Sequence, residues 1–309
     1  MADAGDRPCS WLANPRQTRL VLEEFGHGAK HRLGQNFLVS DSVIASILDL
    51  AQLGEDDVVF EVGPGIGTLT VALLPLAGAV CSVEADRSLE PVLQSTCARD
   101  SERFALLMGD ALGVGEDDLA QAVSRLGRPL PSPRPTKLVS NLPYQVAATI
   151  ILRTLETMPH VHREVVMVQA EVADRIAATP GGRDYGAYTA KLGLYGTVTG
   201  CFEVGPGNFL PPPHVQSAVV RIDRRPALDP QTGEHLSPSM LEATARVIDA
   251  AFAQRRKTIR NSMSSSGFDK AALDEAFSHA GIEPTVRAER LSTADFVVLA
   301  RELGEGAFA

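Results

Sequence analysis

Val58-Val59-Phe60-Glu61-Val62-Gly63-Pro64-Gly65-Ile66-Gly67 decides the fold of this chain. The first half is a continuous apolar run with one acid, bounded by Gly and Pro, and reads as a buried strand. The second half is a glycine loop, and residues 68–74 behind it have helical character. Strand, loop and helix in succession predict the opening of a parallel α/β sheet. Glycines let the backbone approach a ligand closely and open the helix N-terminus. The spacing is G-x-G-x-G, not the G-x-G-x-x-G of the dinucleotide fingerprint.

Later runs repeat the pattern. Ala79-Val80-Cys81-Ser82-Val83 ends in Glu84. An acid about 20 residues beyond the glycines can accept from ribose hydroxyls. Phe104 to Met108 ends in Gly109-Asp110, where a carboxylate can accept from an adenine amine. Leu138-Val139-Ser140 ends in Asn141-Leu142-Pro143-Tyr144. Open α/β sheets bind ligands at the C-terminal edge of their strands. Gly63, Gly65, Glu84, Asp110 and Asn141 are therefore candidates for one cofactor site. The loop spacing, and the absence of a pyrophosphate cradle, favour S-adenosylmethionine over a nicotinamide dinucleotide.

Asn141-Leu142-Pro143-Tyr144 sets a side-chain amide, a rigid turn and an aromatic ring together. That set suits methylation of an exocyclic amine, whose lone pair is delocalised into its ring. Acceptors on the two N–H groups localise the lone pair. They are the Asn141 carbonyl oxygen and a backbone carbonyl held outward by Pro143. Tyr144 can stack on a flipped base. The competing reading of these four residues is a plain strand-to-helix turn.

Here the chain resembles the KsgA-type (RsmA) 16S ribosomal RNA adenine N6,N6-dimethyltransferases, from about Lys30 nearly to the C-terminus. The resemblance is carried by 32–38 (Arg-Leu-Gly-Gln-Asn-Phe-Leu), 61–65, Val83-Glu84, 109–111 and 141–144, then by 168–172, 208–213, 215–220 and 251–262. It implies a class I S-adenosylmethionine-dependent methyltransferase, an α/β protein with a Rossmann-like seven-stranded sheet and a small helical C-terminal domain. It implies dimethylation of two adjacent adenosines near the 3′ end of small-subunit ribosomal RNA, in ribosome biogenesis. By the same resemblance Asn36 and Leu38 touch the cofactor, and the segment beside them approaches the RNA. Phe209 faces Tyr144 across the target base, Leu142 and Pro143 belong to the catalytic turn, and a 30S assembly particle is the partner. Three positions depart from the usual pattern: Leu33 before Gly34, Gln145 after Tyr144, and Ala170 where a Lys is common.

Alternatives within the same sheet type are the 23S ribosomal RNA adenine methyltransferases of macrolide resistance, the DNA adenine methyltransferases and a non-catalytic assembly factor. Residues 251–262 and 209–213 favour the small-subunit enzymes. Leu142 departs from the Pro usual in DNA methyltransferases. Intact Asn141, Tyr144, Glu84 and Asp110 argue for retained catalysis.

Composition bounds the rest. A length of 309 residues allows about two domains, and 44% hydrophobic residues allow a sizeable core. No apolar run reaches the ~18 residues of a membrane span, and the N-terminus lacks an apolar leader. Cys9, Cys81, Cys97 and Cys201 form no C-x-x-C pair, so no metal site or disulfide framework is expected and the thiols fit a cytoplasmic protein. The expected organisation is a lead over 1–30, with a short helix at 15–25 that stops at Gly26 and Gly28. A cofactor-binding catalytic domain over 31–228 and a helical RNA-docking domain over 235–309 follow. A linker-like stretch at 226–238 precedes Met240, Leu241, Thr244, Val247, Ile248, Ala251 and Phe252 at helical spacing. The chain is expected to act as a monomer. A net charge of −9 is unusual for a protein that meets phosphates. Arg255, Arg256, Lys257 and Arg260 form the candidate RNA-binding cluster. The competing reading of that cluster is a solvated helix end.

Overall fold

The computed structural model describes residues 8–26 and 36–304. The 32–35 part of the first motif, with Leu33, and Gly28 lie outside the described residues. Nine strands are present among the described residues: β1 (Phe37–Leu38), β2 (Val58–Val62), β3 (Ala79–Glu84), β4 (Phe104–Met108), β5 (Lys137–Asn141), β6 (Arg163–Gln169), β7 (Gly196–Val204), β8 (Phe209–Leu210) and β9 (Ser217–Arg224). Seven form one sheet in the order β4-β3-β2-β5-β6-β9-β7. The pairings from β4 through β6 are parallel, and β9 runs antiparallel to β6. β2 and β3 are buried along their whole length, as strands covered on both faces must be. The class I methyltransferase sheet expected from the sequence is the sheet observed.

The strand order places the topological switch between β2 and β5. Successive strands step outward from β2 to β4, and the chain then returns to the other side of β2 with β5. Such a point opens a crevice at the C-terminal edge. The backbone pairing of β2 with β5 runs through Val59↔Lys137 and Phe60↔Leu138. Beyond it a side chain bridges the strands: the Ser140 hydroxyl donates to Val62 O at 2.6 Å, and Val62 N–H lies 3.3 Å from the same oxygen. At the opposite edge the buried Lys137 ammonium donates to Asp57 Oδ2 at 2.7 Å and to Gln52 O at 2.6 Å.

The first helix, Pro15–Glu24, begins where Asn14 accepts from Arg16 N–H, with Pro at the first helical position. Leu12 and Val21 pack with Ile66 of the glycine loop and with Leu89 and Val92. Backbone N–H groups of Cys9 and Ser10 donate to Asp41 at 3.1 and 2.8 Å, which ties this lead to the helix Asp41–Ala51.

The chain forms two compact units: Met1–Ala173 with Val198–Asp223, and Asp174–Thr197 with Arg224–Ala309. The second unit therefore recruits residues 174–197, which the sequence reading had left with the catalytic domain. The physical reason is its core. Tyr185, Ala190 and Leu194 are buried with Val247, Ile248, Phe277 and Phe296. The Tyr185 hydroxyl donates to Leu291 O at 2.9 Å, and its ring lies 6.2 Å from that of Phe252. No helix among the described residues is long and apolar enough to cross a membrane. If residues 174–197 complete this core, Tyr185→Ala costs roughly 3 kcal/mol in denaturant unfolding. A loss below about 0.5 kcal/mol contradicts that assignment.

Candidate active site

Four neighbouring strands deliver their C-terminal ends to one edge: Asp110 after β4, Glu84 on β3, the glycine loop after β2 and Asn141 on β5. The loop turns sharply because Gly63 and Gly65 take φ values of +66° and +60°. Close approach leaves little room for a side chain there as well. A Cβ on Gly63 would lie 3.1 Å from Pro143 Cγ, and one on Gly65 would lie 3.2 Å from the ring of Phe37. The expected cofactor loop is thus pressed directly against the expected catalytic turn.

Glu84 is buried, 5% exposed, at the end of β3. Its Oε2 accepts from Gly65 N–H at 3.2 Å and its Oε1 from Asp86 N–H at 2.9 Å. Burial raises its pKa, against the lowering effect of these two backbone donors. Asp110 is exposed, and its Oδ1 accepts from Leu112 N–H at 2.9 Å, capping a short turn. Asn36 and Leu38 come to the same edge through a two-stranded ribbon, in which β1 pairs antiparallel with β8 through Phe37↔Leu210 and Leu38↔Phe209. Val39 N–H donates to Asn208 O at 2.8 Å and extends it. Neither β1 nor β8 was legible in the sequence.

Asn141 is partly buried opposite Met167 on β6. Leu142 is 1% exposed, and its N–H donates to Met167 O at 3.1 Å, so this residue anchors the turn rather than lining an open surface. Pro143 is exposed, and its carbonyl accepts from Val146 N–H at 3.1 Å ahead of the helix Ala147–Thr157. The segment is therefore a strand-to-helix turn as well as a candidate site. The partly buried Tyr144 bonds Ser217 Oγ at 2.7 Å. Phe209 is placed differently from expectation. Its pairing with Leu38 seats the ring in the first unit's core, 3% exposed, beside Leu38, Ile44 and Val219.

The basic cluster lies in the second unit: Arg255, Arg256 and Lys257 sit on the short loop after the helix Pro238–Phe252, and Arg260 sits in the first turn of the helix Ile259–Ser265. Arg255, Arg256 and Lys257 are exposed there. Arg260 differs: its guanidinium grips Asp274 through Nε at 2.5 Å and a second nitrogen at 2.6 Å.

Glu61 was visible in the sequence only as an acid inside an apolar strand. Its side chain is 1% exposed, and its Oε2 accepts from Thr70 Oγ1 at 2.8 Å and from Ser82 Oγ at 2.7 Å. It ties the helix behind the glycine loop to β3. Burial pushes its carboxyl up to about 7, with the neighbouring Glu84 adding to the rise. Between the ordinary carboxylate value and about 7, the folded chain holds a proton that the unfolded chain has released. Stability from this group is thus complete below that window and falls as pH rises through it. Glu61→Gln, which cannot ionise, is therefore expected to gain thermal stability over the parent at about pH 8, with the gain shrinking toward about pH 5. A difference independent of pH contradicts this state of Glu61.

Comparison with known proteins agrees with the geometry. A family profile described as "Ribosomal RNA adenine dimethylase" matches residues 26–305. The chain is 41% identical over 293 residues to the ribosomal RNA small subunit methyltransferase A of Thermobifida fusca, covering 94% of this chain and 95% of that protein. It is 40% identical over 304 residues to the protein of the same name in Corynebacterium diphtheriae, covering 96% and 97%. Among solved structures, a dimethyladenosine transferase from Plasmodium falciparum superposes with a TM-score of 0.68 at 22% identity, covering 85% of this chain and 95% of that one. The 23S rRNA methyltransferase ErmE superposes with a TM-score of 0.63 at 24% identity, covering 87% and 99%. At those identities the structures establish the shared fold, whereas the profile and the sequence relatives establish descent: the chain belongs to the ribosomal RNA adenine dimethylase family.

Proposed function

We propose that this protein transfers methyl groups from S-adenosylmethionine to the N6 amines of two adjacent adenosines near the 3′ end of small-subunit ribosomal RNA, acting as a monomer on a 30S assembly particle. The observation that supports the reading is the closeness of glycine loop and catalytic turn: a Cβ placed on Gly63 would lie 3.1 Å from Pro143. In this reading a methyl donor held by the loop lies beside an amine held by Asn141. The names of the relatives at about 40% identity favour the small subunit over the 23S reading, to which ErmE lends only its fold.

The residues fit the cofactor. Gly63 and Gly65 take the positive φ values that turn the loop sharply at the strand end, and Glu84 is a buried acceptor already turned toward the loop. In this reading Glu84 holds the ribose hydroxyls, Asp110 the adenine amine, and Asn36 and Leu38 line the same pocket. When bound, S-adenosylmethionine supplies an electrophilic methyl on a sulfonium. The Asn141 side-chain oxygen accepts one N6–H of the target. Pro143 O is engaged by Val146, so the Leu142 carbonyl is assigned the other. Together they turn the amine lone pair toward the methyl. Tyr144 stacks the base, worth ~1–3 kcal/mol. Phe209 supports Leu38 from the core. Catalysis is mostly positioning: the methylated amine becomes acidic and releases its proton to water, so no strong base is required. Arg255, Arg256 and Lys257 are assigned to phosphates, and Arg260 to holding the loop through Asp274.

Two outcomes follow. Primer extension on ribosomal RNA from cells lacking the protein is expected to lose a stop near the 3′ end of the small-subunit RNA, because N6-dimethyladenine blocks base pairing. The parent chain restores that stop and Asn141→Ala does not. A stop that persists without the protein overturns the function, and one restored by Asn141→Ala reduces Asn141 to a turn residue. Arg255→Gln with Arg256→Gln is expected to weaken particle binding and to lower the slope of log K against log salt by about 2. An unchanged slope in a folded variant returns the loop to a solvated surface.

A further inference from the structure

We propose that Ser217 is a positioning residue for the target base: its hydroxyl, 2.7 Å from that of Tyr144, fixes the ring on which the adenine stacks. This deepens the function proposed above and rests on Tyr144 being the stacking residue. Tyr144 leaves the end of β5 on a turn, and Ser217 opens β9 opposite Gln169 at the end of β6. β5, β6 and β9 are consecutive in the sheet. Neighbouring strands are about 4.8 Å apart, so the span from β5 to β9 is roughly 10 Å. The Tyr144 side chain crosses it over the end of β6.

A tyrosine held only at its Cα samples several rotamers. A second anchor at the hydroxyl selects one orientation before the base arrives, which removes an ordering cost from the productive complex. Ser217 suits that task. It is 0% exposed, and a buried hydroxyl calls for a partner. Its strand start is fixed by the Gln169↔Ser217 pairing and by Ala170 N–H donating to Gln216 O at 2.9 Å. A short side chain on a fixed backbone makes a rigid post. The division of labour within Tyr144 also explains a tyrosine rather than a phenylalanine here: the ring face meets the base and the hydroxyl meets Ser217.

The test uses Ser217→Ala, Ser217→Thr, Tyr144→Phe and the double variant Tyr144→Phe/Ser217→Ala. Single-turnover methylation of the small-subunit particle at saturating S-adenosylmethionine is expected to slow roughly three- to ten-fold in Ser217→Ala and in Tyr144→Phe. Cofactor affinity should not move. The double variant should be no slower than the slower single variant, and Ser217→Thr, which keeps the hydroxyl, should recover rate over Ser217→Ala. A parent rate in Ser217→Ala, or losses that multiply in the double variant, overturns the assignment. A second readout needs no substrate. With only four tyrosines in the chain, ring-labelled tyrosine gives few NMR resonances, and the one missing from Tyr144→Phe identifies Tyr144. That resonance should shift in Ser217→Ala and return toward its place in Ser217→Thr. An unmoved resonance overturns the tether even where the particle proves to be the wrong substrate.

Discussion

The parting of β2 from β5 is the constraint on which the site depends. Their backbone pairing extends to Phe60↔Leu138, after which the Ser140 hydroxyl takes both the Val62 carbonyl and the Val62 N–H. One side chain thus satisfies two buried backbone groups that the diverging strands would strand, each costly to leave unmade. Just past this bridge both chains turn: β2 into Gly63-Pro64-Gly65, β5 into Asn141-Leu142-Pro143-Tyr144. Strands that stayed paired would close the crevice. Strands that parted without the bridge would lose the 3.1 Å approach between the Gly63 Cβ position and Pro143.

Around this point the fold concentrates polar groups that a core would otherwise exclude. Glu61 and Glu84 are buried one strand apart, each satisfied by donors from the elements it joins: Thr70 and Ser82 for Glu61, Gly65 and Asp86 for Glu84. They differ in consequence. Glu61 locks the loop's helix to β3, whereas Glu84 spans β3 and the loop at the C-terminal edge of the sheet. The N-terminal lead adds an apolar backing to the same loop, with Leu12 and Val21 packed in one cluster with Ile66. The loop is therefore held from three sides by the protein itself.

The sheet and the residues that end its central strands were legible because they write themselves as local patterns. Apolar runs ending in Gly, Glu, Gly-Asp and Asn need only chain-local reading, and β2, β3, β4 and β5 lie where those runs lie. What escaped was non-local. Ser140 and Ser217 are unremarkable serines in sequence, and their partners, Val62 and Tyr144, are 78 and 73 residues away. The ribbon of β1 and β8 is two residues wide, too short for any periodicity. The resemblance set Phe209 across the target base from Tyr144, whereas its register with Leu38 goes with a buried side chain. Residues 174–197 sit between sheet strands in sequence, yet Tyr185 buries itself with Phe252 and Leu291 of the helical unit. The basic loop kept its exposed Arg255, Arg256 and Lys257, but Asp274, fourteen residues beyond Arg260, had already claimed the fourth cation.

The central claim is that this edge places a methyl donor against adenine N6 of small-subunit ribosomal RNA, twice per base and on two bases. Nucleoside mass spectrometry tests it most directly. Purified protein and S-adenosylmethionine are incubated with unmethylated small-subunit particles and, separately, with large-subunit RNA. The account predicts two N6,N6-dimethyladenosines per small-subunit RNA, adjacent near its 3′ end, and none in the large-subunit RNA. Methylation confined to large-subunit RNA, or no methylated adenosine in either, would contradict it.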